Sequence, residues 1–214
     1  VGGCMAVIIS FLNYYHYRQI DHADAFELSM KGKRKRIKPR QQGDLDGLCG
    51  VYSVINAVSA VVEPKRVKKQ PLFKDLLRCL EKDTPITQAL LTGTYRSHVH
   101  NMLQAACGHV KSKYATRIAI NQLFKRNCNV DVDTYWETLK MFLGSSKQRC
   151  IVIGYTGKDD HWTVVYKVTD KALKLLDSGG SKHLRRDYCR IGKPHSEEFY
   201  YLIPTQVWGI SLEN

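Results

Sequence analysis

The 214 residues suffice for one well-filled core but fall short of two ordinary domains. With 43% hydrophobic and 25% charged residues, the composition excludes a disordered chain, a collagen-like repeat and a coiled coil. The 33 Lys and Arg against 20 Asp and Glu leave a net charge of +13, which draws anionic partners or substrates in at long range without naming any.

The chain opens at Val1-Gly2-Gly3 without an initiator Met, which predicts a fragment of a longer chain or a processed product. The mostly apolar run at residues 5–12 has no basic segment before it, so a signal peptide is not expected. It also falls well below the roughly 20 residues that span a bilayer, so no membrane span is expected. A buried strand or helix is the reading for this run. Residues 31–40 carry seven basic side chains in ten, with a Gly and a Pro, and read as a solvated connector. That connector is either a nucleic-acid or acidic-protein contact or a solubilising loop. It separates an N-terminal segment (1–30) from the body (41–214), so that 1–40 form an N-terminal extension of one domain.

From residue 48 to 62 the apolar positions Val51, Val54, Ile55 and Val58 recur at helical spacing until Pro64 stops them, predicting a buried helix. Further helices are expected at 72–82, 97–107, 114–124 and 134–143, the last capped by Asp131 or Asp133. After Arg149 the period becomes strand-like, at 150–155, 162–168, 172–176 and 199–203. Helices followed by a mostly antiparallel sheet spell an α+β fold.

The seven cysteines (Cys4, Cys49, Cys79, Cys107, Cys128, Cys150, Cys189) are odd in number and contain no C-x-x-C pair or zinc-type quartet. They read as free thiols of a chain acting in a reducing cytosol, with no metal or other cofactor expected. Cys79, Cys107 and Cys128 sit on apolar helical patterns and Cys150 begins a core strand, all structural places.

Cys49 differs, because in Gln41-Gln42-Gly43-Asp44-Leu45-Asp46-Gly47-Leu48-Cys49-Gly50 it stands where a glycine-rich loop gives way to a helix. Thiolate is the reactive form, and unpaired amides at the positive end of a helix stabilise it. The amide of Cys49 can also donate to a developing oxyanion, with Gln41 or Gln42 as a side-chain second donor. A nucleophile of this type needs a base, and His161, opening a strand after the turn 158–160, is the best placed. Asp177, just after the next strand, could orient its imidazole. Strand parity tests that idea, because side chains alternate faces and directly opposed residues share one. A two-residue turn at Asp170-Lys171 would point Asp177 away from His161. An odd-length loop or a compensating bulge is therefore predicted.

Gln before a Gly/Asp-rich loop, Cys-Gly at a helix start, a strand-start His and then Asp, in that chain order, resembles the papain-like cysteine peptidases. The arrangement is similar in particular to bacterial members, including bacteriocin-exporter peptidase domains and secreted effector or toxin peptidases. It implies a papain-like fold with Cys49 as nucleophile, His161 as general base and acid, Asp177 as orienting residue and Gln42 as oxyanion donor. The family's Gln usually stands six residues before the Cys, where this chain has Gly43, so the loop holds an extra residue and Gln41 stays open as the alternative.

The activity so implied is hydrolysis of peptide bonds in a protein substrate, acidic or nucleic-acid-associated. The setting is a secreted toxin acting in a target cytosol and held by an acidic immunity protein. A ubiquitin-like-protein protease, an exporter-processing peptidase and a glutamine deamidase use the same apparatus. The rival of another class is a basic nucleic-acid-binding module on a degenerate peptidase fold.

Overall fold

The computed structural model describes residues 38–43, 46–62, 66–125, 129–145 and 148–213. The apolar run 5–12, the basic run as far as residue 37, Cys4, Asp44, Leu45 and Cys128 lie outside them. Of the basic run, Arg40 is fixed to the body. Its N–H donates to Asn56 Oδ1 at 2.8 Å while Asn56 Nδ2 donates to its carbonyl at 3.2 Å.

Among the described residues, five helices precede or interrupt a sheet, and each follows from its apolar spacing. α1 (Cys49–Val61) buries Val51, Val54, Ile55 and Val58 together with Ala57 and Asn56, so it is covered on nearly every side. α2 (Lys69–Glu81) is one-sided, burying Leu72, Leu76 and Leu80 at successive four-residue steps. The short α3 (Ile86–Thr92) leads into α4 (Arg96–Tyr114), which buries Val99, Met102, Leu103, Ala106 and Val110 and closes at left-handed Ala115. α5 (Val132–Gly144) is capped by Asp131, whose Oδ1 accepts from Thr134 N at 2.7 Å.

The strands are β1 (Arg117–Gln122), β2 (Arg149–Gly157), β3 (His161–Val168), β4 (Ala172–Leu175), β5 (His183–Arg185), β6 (Cys189–Ile191) and β7 (Tyr200–Glu213). They form one sheet in the order β1-β7-β2-β3-β4-β5, with β6 parallel to part of β7 and the other pairings antiparallel. One face carries Cys150, Val152, Trp162, Val164, Trp208 and Ile210 into a core shared with α1, α2 and α4. The other carries Ile151, Ile153, Tyr155, Val165 and Val207 against Tyr135, Trp136 and Leu139 of α5. The fold is therefore mixed helix and mostly antiparallel sheet. Among the described residues, no helix is long and apolar enough to cross a membrane.

Two expectations need correction. The segment 114–124, predicted helical, is β1, because helix α4 runs to Tyr114 and the next residues pair with the end of β7 from Arg117↔Glu213 to Gln122↔Trp208. The strand expected at 199–203 is the start of the fourteen-residue β7, which continues past Pro204 through a shift of register against β2. Helix α3 and strands β5 and β6 were not anticipated.

Candidate active site

Cys49 is the first residue of α1. Leu48 before it offers no side-chain cap, and the first turn holds no acidic residue, so the leading amides of α1 are not satisfied by a cap. The approach to Cys49 is held tightly. Gly47 donates to the Leu90 carbonyl at 2.8 Å, and a Cβ on Gly47 would meet the Gly93 backbone at 2.9 Å. A Cβ on Gly50 would come within 2.2 Å of Thr94 Oγ1 and 2.8 Å of Val99. Only glycines let the loop and the first turn of α1 settle against the junction of α3 and α4.

His161 opens β3, opposite Tyr155 on β2. Its Nε2 lies 2.7 Å from Asp177 Oδ1, and the Cys49 thiol stands close enough to the ring to favour its charged form, while Cys49 Sγ itself donates to the Gly47 carbonyl at 4.0 Å. With Nε2 turned to Asp177, Nδ1 is the ring nitrogen left for the sulfur. Burial disfavours the charged ring, but the hydrogen bond to Asp177 and the nearby Cys49 outweigh it and raise the His161 pKa from 6.5 to about 10. Asp177 is 2% exposed. Burial would raise its pKa, yet the bond to His161 and the charge of the ring hold it below the ordinary carboxylate value. Its second oxygen accepts from Ser181 N at 3.0 Å, so both oxygens of the buried carboxylate are engaged.

The parity expectation can be read directly. Thr169 N donates to the Ala172 carbonyl, so the turn between β3 and β4 is the two-residue one at Asp170-Lys171. Lys167 opposes Lys174 and Val168 opposes Leu173, but Val165 opposes Leu175, so Tyr166 is an extra residue on β3. Leu176 N then donates to the Val164 carbonyl at 2.8 Å, which carries the shifted register on towards Asp177. The bulge restores the face that the even turn would have lost.

Gln42 is joined to the far side of the site. Its N–H donates to the Ser178 carbonyl at 3.2 Å, and its Oε1 accepts from Ser178 Oγ at 3.0 Å. Its Nε2 spends one hydrogen on the Asp46 carbonyl at 3.3 Å and keeps a second. Gln41 is exposed, with its side chain beside Gly180. Cys49, His161 and Asp177 are thus brought together, and Gln42 is anchored to the residue that follows Asp177.

Three supports were not anticipated from the sequence. Ser53 Oγ, one turn after Cys49, donates to the Trp162 carbonyl at 2.7 Å. Trp162 Nε1 donates to the Thr94 carbonyl at 2.8 Å, linking the His strand to the loop beneath Gly50. Tyr155 sets its ring 5.8 Å from that of His161 and meets Tyr200 edge-on at 5.4 Å. A small buried Ser and a strand aromatic carry no sequence signal for such roles.

The remaining described cysteines are free and differently placed. Burial pushes Cys107 up to about 11 and Cys189 up to about 12, and raises Cys79 and the fully enclosed Cys150 as well. Among the described residues, no group of His, Cys, Asp and Glu side chains could hold a metal ion. No protein-family model matches the chain, and no curated protein matches it.

Proposed function

We propose that the chain is a cysteine hydrolase of papain-like arrangement, cleaving amide bonds of a protein substrate. The supporting observation is the His161–Asp177 hydrogen bond placed beside Cys49 at the uncapped start of a buried helix. A thiol beside an imidazolium and a helix N-terminus is the setting in which cysteine reacts as thiolate.

In this reading the Cys49 sulfur forms a bond to the substrate carbonyl carbon, and the oxygen takes up the charge. The Cys49 amide and the second Nε2 hydrogen of Gln42 donate to that oxygen. As the C–N bond breaks, His161 gives its Nδ1 proton to the leaving amine. His161 then takes a proton from water, which releases the acyl group as acid and regenerates the thiol. Asp177 holds the ring with Nδ1 towards the sulfur and stabilises its charged form. The +13 charge favours an acidic or nucleic-acid-bound protein as substrate and an acidic protein as inhibitor.

An iodoacetamide-type probe tests the reading. It should label Cys49 selectively among the seven cysteines, and the labelling should be lost in His161→Ala. Mapping new protein N-termini after expression of wild type beside Cys49→Ala then reads the reaction. Slow, uniform labelling with no new termini would remove the enzyme reading and leave a basic binding module.

A further inference from the structure

The chain reaches the site along a short strap, residues 40–42, that is tied at both ends. Arg40 N donates to Asn56 Oδ1 at 2.8 Å and Asn56 Nδ2 donates to the Arg40 carbonyl at 3.2 Å, so one side chain of α1 holds both backbone groups of that residue. Two residues on, Gln42 N donates to the carbonyl of Ser178, the neighbour of Asp177. Asn56 follows Cys49 by seven residues, two turns along the same side of α1 and about 10 Å away at roughly 1.5 Å per residue. The strap thus joins the helix that carries Cys49 to the turn that carries Asp177. Asn56 is 1% exposed among Val54, Ile55, Ala57 and Val58. Asn is a weak helix former, and a buried amide costs free energy unless it is paired, so an apolar side chain would suit this covered helix better. What the amide gains is its hold on Arg40, an exposed residue that solvent could otherwise serve.

The side-chain amide of Gln42 is fixed as well. The Asp46 carbonyl can only accept, which turns Nε2 to that side, and Oε1 then takes the hydrogen of Ser178 Oγ at 3.0 Å. An amide is planar, so these two bonds leave the second Nε2 hydrogen a single direction. Asp46 also closes the loop in front of the nucleophile, its Oδ2 accepting from Gly43 N at 2.7 Å and its Oδ1 from Leu48 N at 3.1 Å.

We propose that Asn56, together with Ser178, is a positioning residue for Gln42: the clamp on Arg40 sets the strap against α1, and the Ser178 hydroxyl sets the amide, so that the free Nε2 hydrogen meets the oxygen of a substrate bonded to Cys49. The proposal rests on the hydrolase reading and on Gln42 as a donor to its oxyanion. A donor aimed in advance is worth most, because nothing has to reorganise as the charge develops. Gln42 stands on a loop with several rotatable side-chain bonds, so its aim depends on where backbone and amide are pinned. Asn56 touches no reacting atom and acts only through that aim.

Two small reagents separate aim from thiol reactivity. With p-nitrophenyl acetate the Cys49 sulfur bonds to the ester carbon, the carbonyl oxygen takes up the charge, and nitrophenolate leaves as the thioester forms. With iodoacetamide the sulfur displaces iodide at a saturated carbon and no oxyanion arises. The ratio of the acylation rate to the alkylation rate, measured on the full chain, therefore reads the oxyanion donors. Gln42→Ala should lower that ratio about 100-fold and Asn56→Ala about tenfold. The double variant should match Gln42→Ala, because one residue acts through the other. Ser59→Ala, which removes another buried polar group of α1, should leave the ratio within about twofold. An Asn56→Ala ratio within about twofold of wild type, or strictly additive losses in the double variant, would overturn the proposal. A ratio unmoved by Gln42→Ala would overturn it too, while His161-dependent labelling of Cys49 in the same samples would still support the hydrolase reading; absence of that labelling in wild type would take both away. Should Asn56→Ala fail to fold, Ser178→Ala decides: it should lower the ratio about threefold or more, and no change would show that the aim of Gln42 does not depend on its ties.

Discussion

The Ser53 hydroxyl lies 2.7 Å from the Trp162 carbonyl, joining the helix that begins with Cys49 to the strand that begins with His161. The two reactive groups are 112 residues apart in the chain, and this one buried bond fixes α1 against β3 beside both. Ser53→Ala leaves the carbonyl without that donor in a place closed to water, at a cost of about 1–3 kcal/mol. Urea unfolding should show that loss, and Cys49 labelling should slow more than in Ser59→Ala, where a buried hydroxyl with no described partner is removed. Equal labelling rates in the two variants would separate Ser53 from the site.

The His161–Asp177 pair sets a pH dependence whose sign is fixed. The folded His161 pKa, about 10, lies above its unfolded value near 6.5, so the native state holds the extra proton between them. The stabilisation from His161 is complete below about 6.5 and is lost as pH rises towards 10. Asp177 acts at the other end, because its folded pKa is depressed. Its contribution is present above the ordinary carboxylate value and disappears as pH falls through the folded one. In wild type the His161 ring resonance should stay flat from about pH 6 to 8. In Asp177→Asn the largest contribution that raises the pKa is removed, and the ring should titrate nearer its ordinary value. A wild-type ring that titrates near 6.5 would break the account of the pair.

Gly50 is fixed by space rather than by backbone angle. A Cβ there would overlap Thr94 Oγ1 and crowd Val99, both packed beneath the first turn of α1. Gly50→Ala should cost about 1–3 kcal/mol of stability by overpacking. It should also slow Cys49 labelling by displacing the helix start. Thr94→Ala removes the nearest clashing atom, an enclosed hydroxyl without a described partner, so adding it to Gly50→Ala should recover part of the loss. Denaturant midpoints of the two single variants and the double variant read the coupling. Strict additivity would place the effect elsewhere.

What the sequence could disclose was whatever depends on neighbours along the chain. The helix from Cys49 follows from Val51, Val54, Ile55 and Val58, and the cap of α5 from Asp131 before Thr134. The need for a bulge or an odd loop before Asp177 followed from two-residue periodicity alone. Where distant pairing decides, local pattern failed. Ile118 and Ile120 fit one side of a strand as well as a helix, and only partners more than 80 residues away on β7 make that segment β1. The expected strand stopped at residue 203, before Pro204, whereas β7 continues because β1 and β2 pair with its later residues. Ser53, Tyr155 and Thr94 were illegible for the same reason, since their partners come from other elements.

The bulge yields a prediction that runs against the usual intolerance of strands to deletion. With Tyr166 in place, Lys167 opposes Lys174 and Val165 opposes Leu175, two residues on β3 spanning one step of β4. Removing Tyr166 makes Val165 the immediate neighbour of Lys167, and both pairings then continue without interruption. Leu176 keeps its bond to Val164, and Asp177 stays on the face of His161. A regular strand that kept Tyr166 would instead pair it with Leu175 and turn Asp177 to the opposite face. The Tyr166 deletion should therefore fold and label at Cys49 within about threefold of wild type, the small loss reflecting altered strand twist. Inserting one Ala after Val165 lengthens the bulge and should slow labelling far more, or unfold β4. Thermal melts and probe kinetics on both variants distinguish these outcomes, and a deletion variant that folds but no longer labels would show that the bulge aims His161 in some way other than by register.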